Sequence, residues 1–298
     1  MPNNLEKFHD YLHLEKNYSL HTVAAYCKDV SFFQEHIISE FEDHNLLTVN
    51  YNQIRSWIVF LSDSEKSNAS INRKISSLKA FYRFLLKMKQ IEVSPLLKHR
   101  ALKTPTKLQI PFSIKELNQL LDQLSFPDNF DGIRDKLIIE MFYATGIRRS
   151  ELINLEIQDV DSKSRTIKVL GKRNKERIIP LLPVVIESID NYLKSVANLK
   201  DVKSTNYFFV KENGAKLTDS FVYRIINYYF SNVSEKVKKS PHILRHTFAT
   251  HLLNNGADIN SVKELLGHSS LASTQVYTHS SLSQLKKVYA DAHPRTIK

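Results

Sequence analysis

A single cysteine, Cys27, stands among 298 residues, so no internal disulfide can brace this chain. That usage fits a reducing compartment and a cytoplasmic location. Glycine is scarce at six residues and proline at nine, which argues against long flexible linkers. No apolar run approaches the roughly 18 residues that a membrane helix needs. The opening Met1-Pro2-Asn3-Asn4-Leu5-Glu6 lacks the basic-then-apolar layout of a secretory leader. The chain also has no Gly-rich phosphate loop, no carboxylate cluster and no Cys cluster, so its histidines and arginines must be read without those partners.

What is present is length and positive charge. A chain of 298 residues exceeds a typical single core and fits two domains. The net charge is +11, and between Lys66 and Lys103 ten Lys/Arg face one acid, Glu92. A basic stripe of this kind suits a polyanionic partner, most often nucleic acid; a solvated face on a basic protein would look the same.

The first hundred residues read as all-helical. Leu5, Phe8, Tyr11 and Leu12 form one apolar stripe. Ser19 caps a second helix with Val23, Tyr26, Val30 and Phe33 inward and His21, Thr22, Lys28 and Asp29 on the other face. Asn50 and Gln53 cap a third helix carrying Ile54, Trp57, Ile58 and Leu61. A fourth, near 69–90, buries Ile71, Ile75, Leu78, Tyr82 and Leu85, with Arg73, Ser76, Lys79 and Arg83 along its flank. An apolar back with a cationic, hydroxyl-bearing front suits a helix lying against DNA, and equally the surface helix of a bundle. The segment 99–111 holds Pro105 and Pro111 and reads as a semi-rigid strap. The expected division is 1–103 as an N-terminal helical domain, 104–112 as linker and 113–298 as the second domain.

Ser113 and Glu116 open that second domain as a capping box. Helices are expected over 114–124, 133–143, 148–155, 184–196 and 220–229. Gly146 provides a left-handed stop after the second of these. Strands are expected at 165–170 and 176–181 around the turn Gly171-Lys172-Arg173-Asn174-Lys175, with a further short strand at 207–210.

The chemistry concentrates near the end of the sequence. His242 and Arg245, at i and i+3, share a helical face; His268 follows Gly267, and Tyr277 lies about ten residues further on. Arginine offers a planar fork of donors to phosphate oxygens, and histidine donates or carries a proton near neutral pH. Attack on a phosphodiester builds negative charge that fixed cations stabilise. A tyrosine hydroxyl is a competent covalent nucleophile beside a base or cation. Any one of the 13 tyrosines is by itself an ordinary structural residue; the set carries the signal.

The motifs Ala144-Thr145-Gly146-Ile147-Arg148-Arg149-Ser150-Glu151-Leu152, Gly171-Lys172-Arg173-Asn174-Lys175-Glu176-Arg177, His242-Ile243-Leu244-Arg245-His246, Leu266-Gly267-His268 and Gln275-Val276-Tyr277-Thr278-His279 stand in an order that resembles the tyrosine recombinase (phage-integrase-type) family over the whole chain. The similarity is greatest to its Xer branch of chromosome-dimer resolvases. Arg173 fills a position that is often glycine in relatives. The resemblance implies a mostly α fold with a small antiparallel β-sheet in the C-terminal domain, arranged as a two-domain C-clamp on DNA. It implies that Tyr277 attacks the scissile phosphate to give a 3′-phosphotyrosyl link and that Arg148 and Arg245 grip the non-bridging oxygens. His242 and His268 would add hydrogen bonds, and Lys172 would protonate the leaving 5′-oxygen. Thr22, Lys28, Arg73, Lys79 and Arg83 would face DNA. No metal or other cofactor is implied, because the phosphotyrosyl bond conserves the energy of the broken one. The partners implied are double-stranded DNA with inverted-repeat recombination sites, a tetramer built by docking of the helix around 281–289, and a DNA translocase as regulator.

Other readings compete. A non-catalytic DNA-binding protein would use the basic helices but has no need of Tyr277. A metal enzyme could use His242, His246 and His251, although Arg245 would repel the ion. An integrase of a mobile element, or a type IB topoisomerase-like enzyme, would share the chemistry.

Overall fold

The computed structural model describes residues 4–105, 109–171, 176–199, 205–236, 239–267 and 279–296, with side chains described from Leu285 onward in the last stretch. It divides into two compact units, Met1–Lys107 and Leu108–Lys298. Among the described residues no helix is long and apolar enough to cross a membrane.

The first unit is helical. Helix α1 (Asn4–Asp10) widens into a π-helical turn, Tyr11–Glu15. It is followed by α2 (Leu20–Phe41), α3 (Tyr51–Asp63) and α4 (Asn68–Lys87). Ser19, Asn50 and Ser67 each accept a first-turn N–H, which satisfies donors the helix itself cannot. Phe8, Val23, Val30, Phe33, Trp57, Ile71, Leu78 and Tyr82 are fully buried, with Phe33 edge-on to Trp57 at 5.0 Å. These are the apolar stripes expected from periodicity.

Asp29 departs from that expectation. It lies 2% exposed, not on the solvent face. Arg73 grips it through two hydrogen bonds of 2.9 and 3.1 Å, with Lys74 at 2.8 Å and Ser77 at 2.8 Å. Burial raises the carboxyl, but Lys74, Ser77 and Arg73 outweigh it and leave the group below its ordinary range. Helical period alone cannot separate a solvated acid from a buried one whose partners come from another helix. The strap also starts later than the sequence implied. The Asn72 side chain bonds both the N–H and the C=O of Leu102, and Asn68 bonds the Lys103 carbonyl, so this stretch is laced along α4.

The first unit contains no glycine. Its left-handed positions are filled by Asn17, Glu42, Glu65 and Lys89, with φ between 50° and 56°. Glu42 terminates the longest helix, where its charge also opposes the helix dipole. Relief of the left-handed cost, less the added chain entropy of glycine, predicts that Glu42→Gly stabilises the protein by about 0.5–1 kcal/mol. Urea unfolding monitored by Trp57 fluorescence would show it, and an unchanged or lower midpoint would contradict it.

The second unit starts with α5 (Ile114–Asn118), opened by the Ser113–Glu116 capping box. A π-helical turn, Gln119–Gln123, replaces the regular continuation to 124. Helix α6 (Phe130–Thr145) is its axis: every residue from Leu137 to Thr145 is buried, and α8 (Pro183–Ala197) and α10 (Pro241–Asn254) pack against it. Phe112, inside the expected linker, is fully buried against Phe230 with ring centroids 4.0 Å apart. Its N–H donates to Thr247 at 2.9 Å, so the structured part of this unit begins before residue 113.

Helix α7 (Arg149–Ile153) is shorter than expected, with Arg148 as its cap. Strands β1 (Val160–Asp161), β2 (Thr166–Leu170) and β3 (Glu176–Pro180) form an antiparallel meander in which Ile167 faces Ile179 and Val169 faces Arg177. The two-residue β1 has no sequence signal. The segment at 207–210 is not a strand. It makes two isolated bridges, Glu156 with Tyr207 and Val210 with Lys216, while Phe208 and Phe209 fill the core. Helices α9 (Asp219–Ser231), α11 (Ile259–Leu266) and α12 (His279–Ala292) complete the unit.

Helix α12 is seated on its own unit in this single chain. Leu285, Tyr289 and Ala292 are buried in the core of their own unit, and the Tyr289 hydroxyl donates to the Ala144 carbonyl at 2.8 Å. Of the expected stripe, Leu285 and Tyr289 are thus occupied in cis, while Val288 is half-buried. The side chain of Leu282 lies outside the described residues.

Candidate active site

Arg148 is placed by a helix stop followed at once by a helix start. Helix α6 ends at Gly146, whose φ of 59° takes the left-handed cap. A Cβ there would lie 2.4 Å from the Phe248 ring and 2.9 Å from Leu266, so the position is closed to any side chain. Two residues later Arg148 caps α7, and Glu151 at the third helical position reaches back to its N–H at 2.9 Å. The same carboxylate takes the Arg148 guanidinium at 2.6 Å.

Arg245 comes from α10, which Ser240 caps and Pro241 opens. Arg245 is 7% exposed, whereas His242, one turn earlier, is exposed. The Arg245 guanidinium donates to the Gly146 carbonyl at 2.5 Å and to the Leu266 carbonyl at 2.6 Å. Burial, then the charges of Arg148 and Arg177, pull it down to about 9, so it stays charged at neutral pH.

A third arginine joins these two. Arg177 projects from the inward face of β3, is 4% exposed, and grips both Glu151 oxygens at 2.8 and 2.7 Å. Its Nε donates to the Leu265 carbonyl at 2.8 Å. Arg148 donates to the Gly267 carbonyl at 2.9 Å. The last three carbonyls of the α11 terminus, those of Leu265, Leu266 and Gly267, thus each receive one guanidinium. Helix C-termini carry partial negative charge and unsatisfied acceptors, which offsets the mutual repulsion of the cations. Three arginines surround one carboxylate, a net of two positive charges. Burial alone would raise Glu151, but Arg177 and then Arg148 draw it down to about 2.

Each guanidinium has five N–H donors. The described side-chain bonds of Arg148 and of Arg245 each use two of them. Among the described residues the remainder have no hydrogen-bond partner, and planar, fixed donors of this kind suit a tetrahedral oxyanion. The structure therefore brings Arg148 and Arg245 together, with His242 on the helix turn preceding Arg245. Lys172, His268 and Tyr277 lie outside the described residues. Their chain neighbours are placed: Gly171 and Glu176 flank the Lys172 turn, Gly267 precedes His268, and α12 follows Tyr277.

Among the proposed DNA-facing residues, Lys28, Arg73 and Arg83 are exposed and Lys79 is half-buried, with its amine 3.4 Å from the His99 carbonyl. Thr22 shares a hydroxyl contact of 2.9 Å with Ser19 at the start of α2. Arg73 is bound to Asp29, a partner that helical periodicity does not reveal. Glu151 and Arg177 stand within the recognised motifs, yet the sequence alone gives them no role. The available signal was Glu151 at i+3 from Arg148 and a charge at an inward strand position. Among the described residues no cluster is arranged to hold a metal ion; His251 is engaged by the Tyr143 hydroxyl at 3.0 Å.

Comparison with known proteins agrees with this geometry. Residues 110–284 match the phage integrase family, and residues 5–89 match the phage integrase N-terminal SAM-like domain. The chain is 38% identical over 291 residues to tyrosine recombinase XerC of Staphylococcus haemolyticus, covering 98% of this chain and 97% of that one. It is 37% identical over 292 residues to tyrosine recombinase XerD of the same organism, covering 98% of each. Among solved structures, a XerH site-specific recombinase bound to palindromic difH substrate is 24% identical, with a TM-score of 0.71, over 96% of this chain and 83% of that one. A Tn1549 transposon integrase in complex with transposon right-end DNA is 20% identical, with a TM-score of 0.73, over 96% and 99%. These last two show the shared fold. The chain belongs to the phage integrase family and is a tyrosine recombinase, an enzyme that cuts and rejoins DNA.

Proposed function

We propose that this chain is a site-specific recombinase whose nucleophile is Tyr277. The Tyr277 oxygen bonds to the scissile phosphorus, the bond from phosphorus to the 5′-oxygen breaks, and a 3′-phosphotyrosyl link results. His242 or His268 takes the phenol proton, and Lys172 gives one to the departing 5′-oxygen. Arg148 and Arg245 hold the non-bridging oxygens. The supporting observation is the guanidinium cluster at the end of α11, net positive and fixed by carbonyls, beside the chain positions that lead into His268. Preorganised donors of this kind need little rearrangement as charge develops, and each is worth roughly 3–4 kcal/mol by analogy with oxyanion holes.

The first unit would bind DNA through Thr22, Lys28, Arg73, Lys79 and Arg83, and the second unit, into which Phe112 is already packed, would carry the chemistry. The relatives named XerC and XerD favour action on inverted-repeat sites in double-stranded DNA, as a tetramer resolving chromosome dimers in the cytoplasm, with a DNA translocase as regulator. No metal or other cofactor takes part in this scheme.

A nicked duplex carrying a candidate recombination site, incubated in EDTA and run on a denaturing gel, tests the chemistry. Wild type is expected to give a covalent protein–DNA band that Tyr277→Phe lacks. Persistent binding without linkage, across sites and with a paired recombinase added, would instead establish a non-catalytic DNA-binding protein.

A further inference from the structure

We infer that Arg177 is a positioning residue, holding Arg148 and the carbonyl end of α11 in register for the phosphate. The inference rests on the reading of Arg148 as a phosphate ligand. Arg177 occupies an inward strand position between core neighbours, where its companion two residues on is Ile179. An aliphatic side chain would serve the fold there, and a buried guanidinium carries a large desolvation cost. The connections it makes explain its presence.

Arg177 takes both oxygens of Glu151. Glu151 holds Arg148 through its guanidinium and its backbone N–H. Arg148 donates to Gly267. Two residues back along the chain, Leu265 accepts from Arg177. The bonds close into a ring that ties β3, α7 and α11 together, and Arg148 is gripped from two sides. Gly267 completes the fit: a Cβ there would come within 3.0 Å of Arg177 Cδ and 3.2 Å of Nη1. Each tied element runs directly into an expected catalytic position. The turn holding Lys172 precedes β3, Arg148 caps α7, and His268 follows α11. A lysine at 177 keeps the charge but cannot bridge three acceptors in one plane.

The test uses the full chain and the nicked duplex. Arg177→Lys is expected to slow covalent linkage about 30-fold, a loss typical of a misplaced reacting group. DNA affinity should change less than about 3-fold, because the charge is retained. The melting temperature should stay close to that of wild type. A second substrate carries sulfur in place of the bridging 5′-oxygen; its thiolate leaves without needing a proton. Sulfur is expected to restore linkage by Lys172→Ala and to leave Arg177→Lys slow, since the defect lies with the phosphate grip. If Arg177→Lys does not fold, Glu151→Gln interrupts the same ring while keeping its volume, and the same pattern is expected. The inference is overturned by linkage at the wild-type rate, by loss that tracks the unfolded fraction, or by sulfur rescue of the ring variant. Wild type that never links would strike at the recombinase reading itself and is thereby told apart.

Discussion

Gly146→Ala is expected to destabilise the second unit by about 2–4 kcal/mol, summing a left-handed backbone cost with overpacking of a full core. Linkage of DNA should fall on the order of 100-fold with it, because reacting groups would be displaced. Both effects have one origin. Gly146 sits at φ 59° with the Phe248 ring 2.4 Å from where a methyl carbon would go. Phe248 is fully buried and cannot swing aside without disturbing the core. The Gly146 carbonyl is also one of the two acceptors that orient Arg245. A shift of this turn thus moves Arg245 directly and Arg148 two residues on. Gly256→Ala supplies the control: it has φ 87° and nothing within 4 Å of where its methyl would stand, so it should cost only about 1–2 kcal/mol and leave linkage unchanged. Urea unfolding of both variants, with single-turnover linkage, decides the matter. Equal losses in the two would mean that packing around Gly146 has no special part.

Gly146 was legible in the sequence because a helix stop is a local event, readable from one residue and its neighbours. The Asn50–Gln53 and Ser113–Glu116 capping boxes were legible for the same reason. Apolar stripes on α2, α3 and α4 followed from period alone. What escaped was every feature that depends on a partner distant in sequence. Asp29 looked solvent-facing because Arg73, Lys74 and Ser77 approach it from 44 to 48 positions away. Arg177 looked like one more basic residue on a hairpin because Glu151 is 26 positions earlier and Leu265 is 88 later. The Tyr289 bond to Ala144 left no trace in the sequence because the two are 145 positions apart. The reactive residues announced themselves by type and order; the groups that hold them in place did not.

The attachment of α12 should make the protein unusually sensitive to mild acid. His293, just beyond that helix, has no exposed surface. Its Nε2 lies 3.3 Å from the Tyr143 carbonyl and its Nδ1 accepts from the Arg295 N–H at 3.2 Å, which fixes the neutral Nε2–H tautomer. Protonation at Nδ1 would break the Arg295 bond and set a cation among Tyr143, Tyr289 and Phe248, with Arg295 and His251 nearby. Burial, followed by repulsion from Arg295 and His251 and partly opposed by the Tyr143 carbonyl, pushes the ring down to about 4. An unfolded chain protonates histidine below about 6.5. Between these values the unfolded state binds more protons than the folded one, so stability falls as pH falls, by roughly 3 kcal/mol over the window from this residue alone. Burial lowers His251 too, in the same direction. Glu151 acts only further down, since its stabilisation is lost as pH drops from the ordinary carboxylate range towards about 2. Wild type and His293→Gln should therefore differ most in unfolding free energy at pH 7.5 and converge towards pH 4.5, the variant showing the flatter profile. Because α12 begins two residues after Tyr277, linkage by wild type should decline over the same range while DNA binding persists. Parallel stability profiles for the two proteins would remove His293 as the cause.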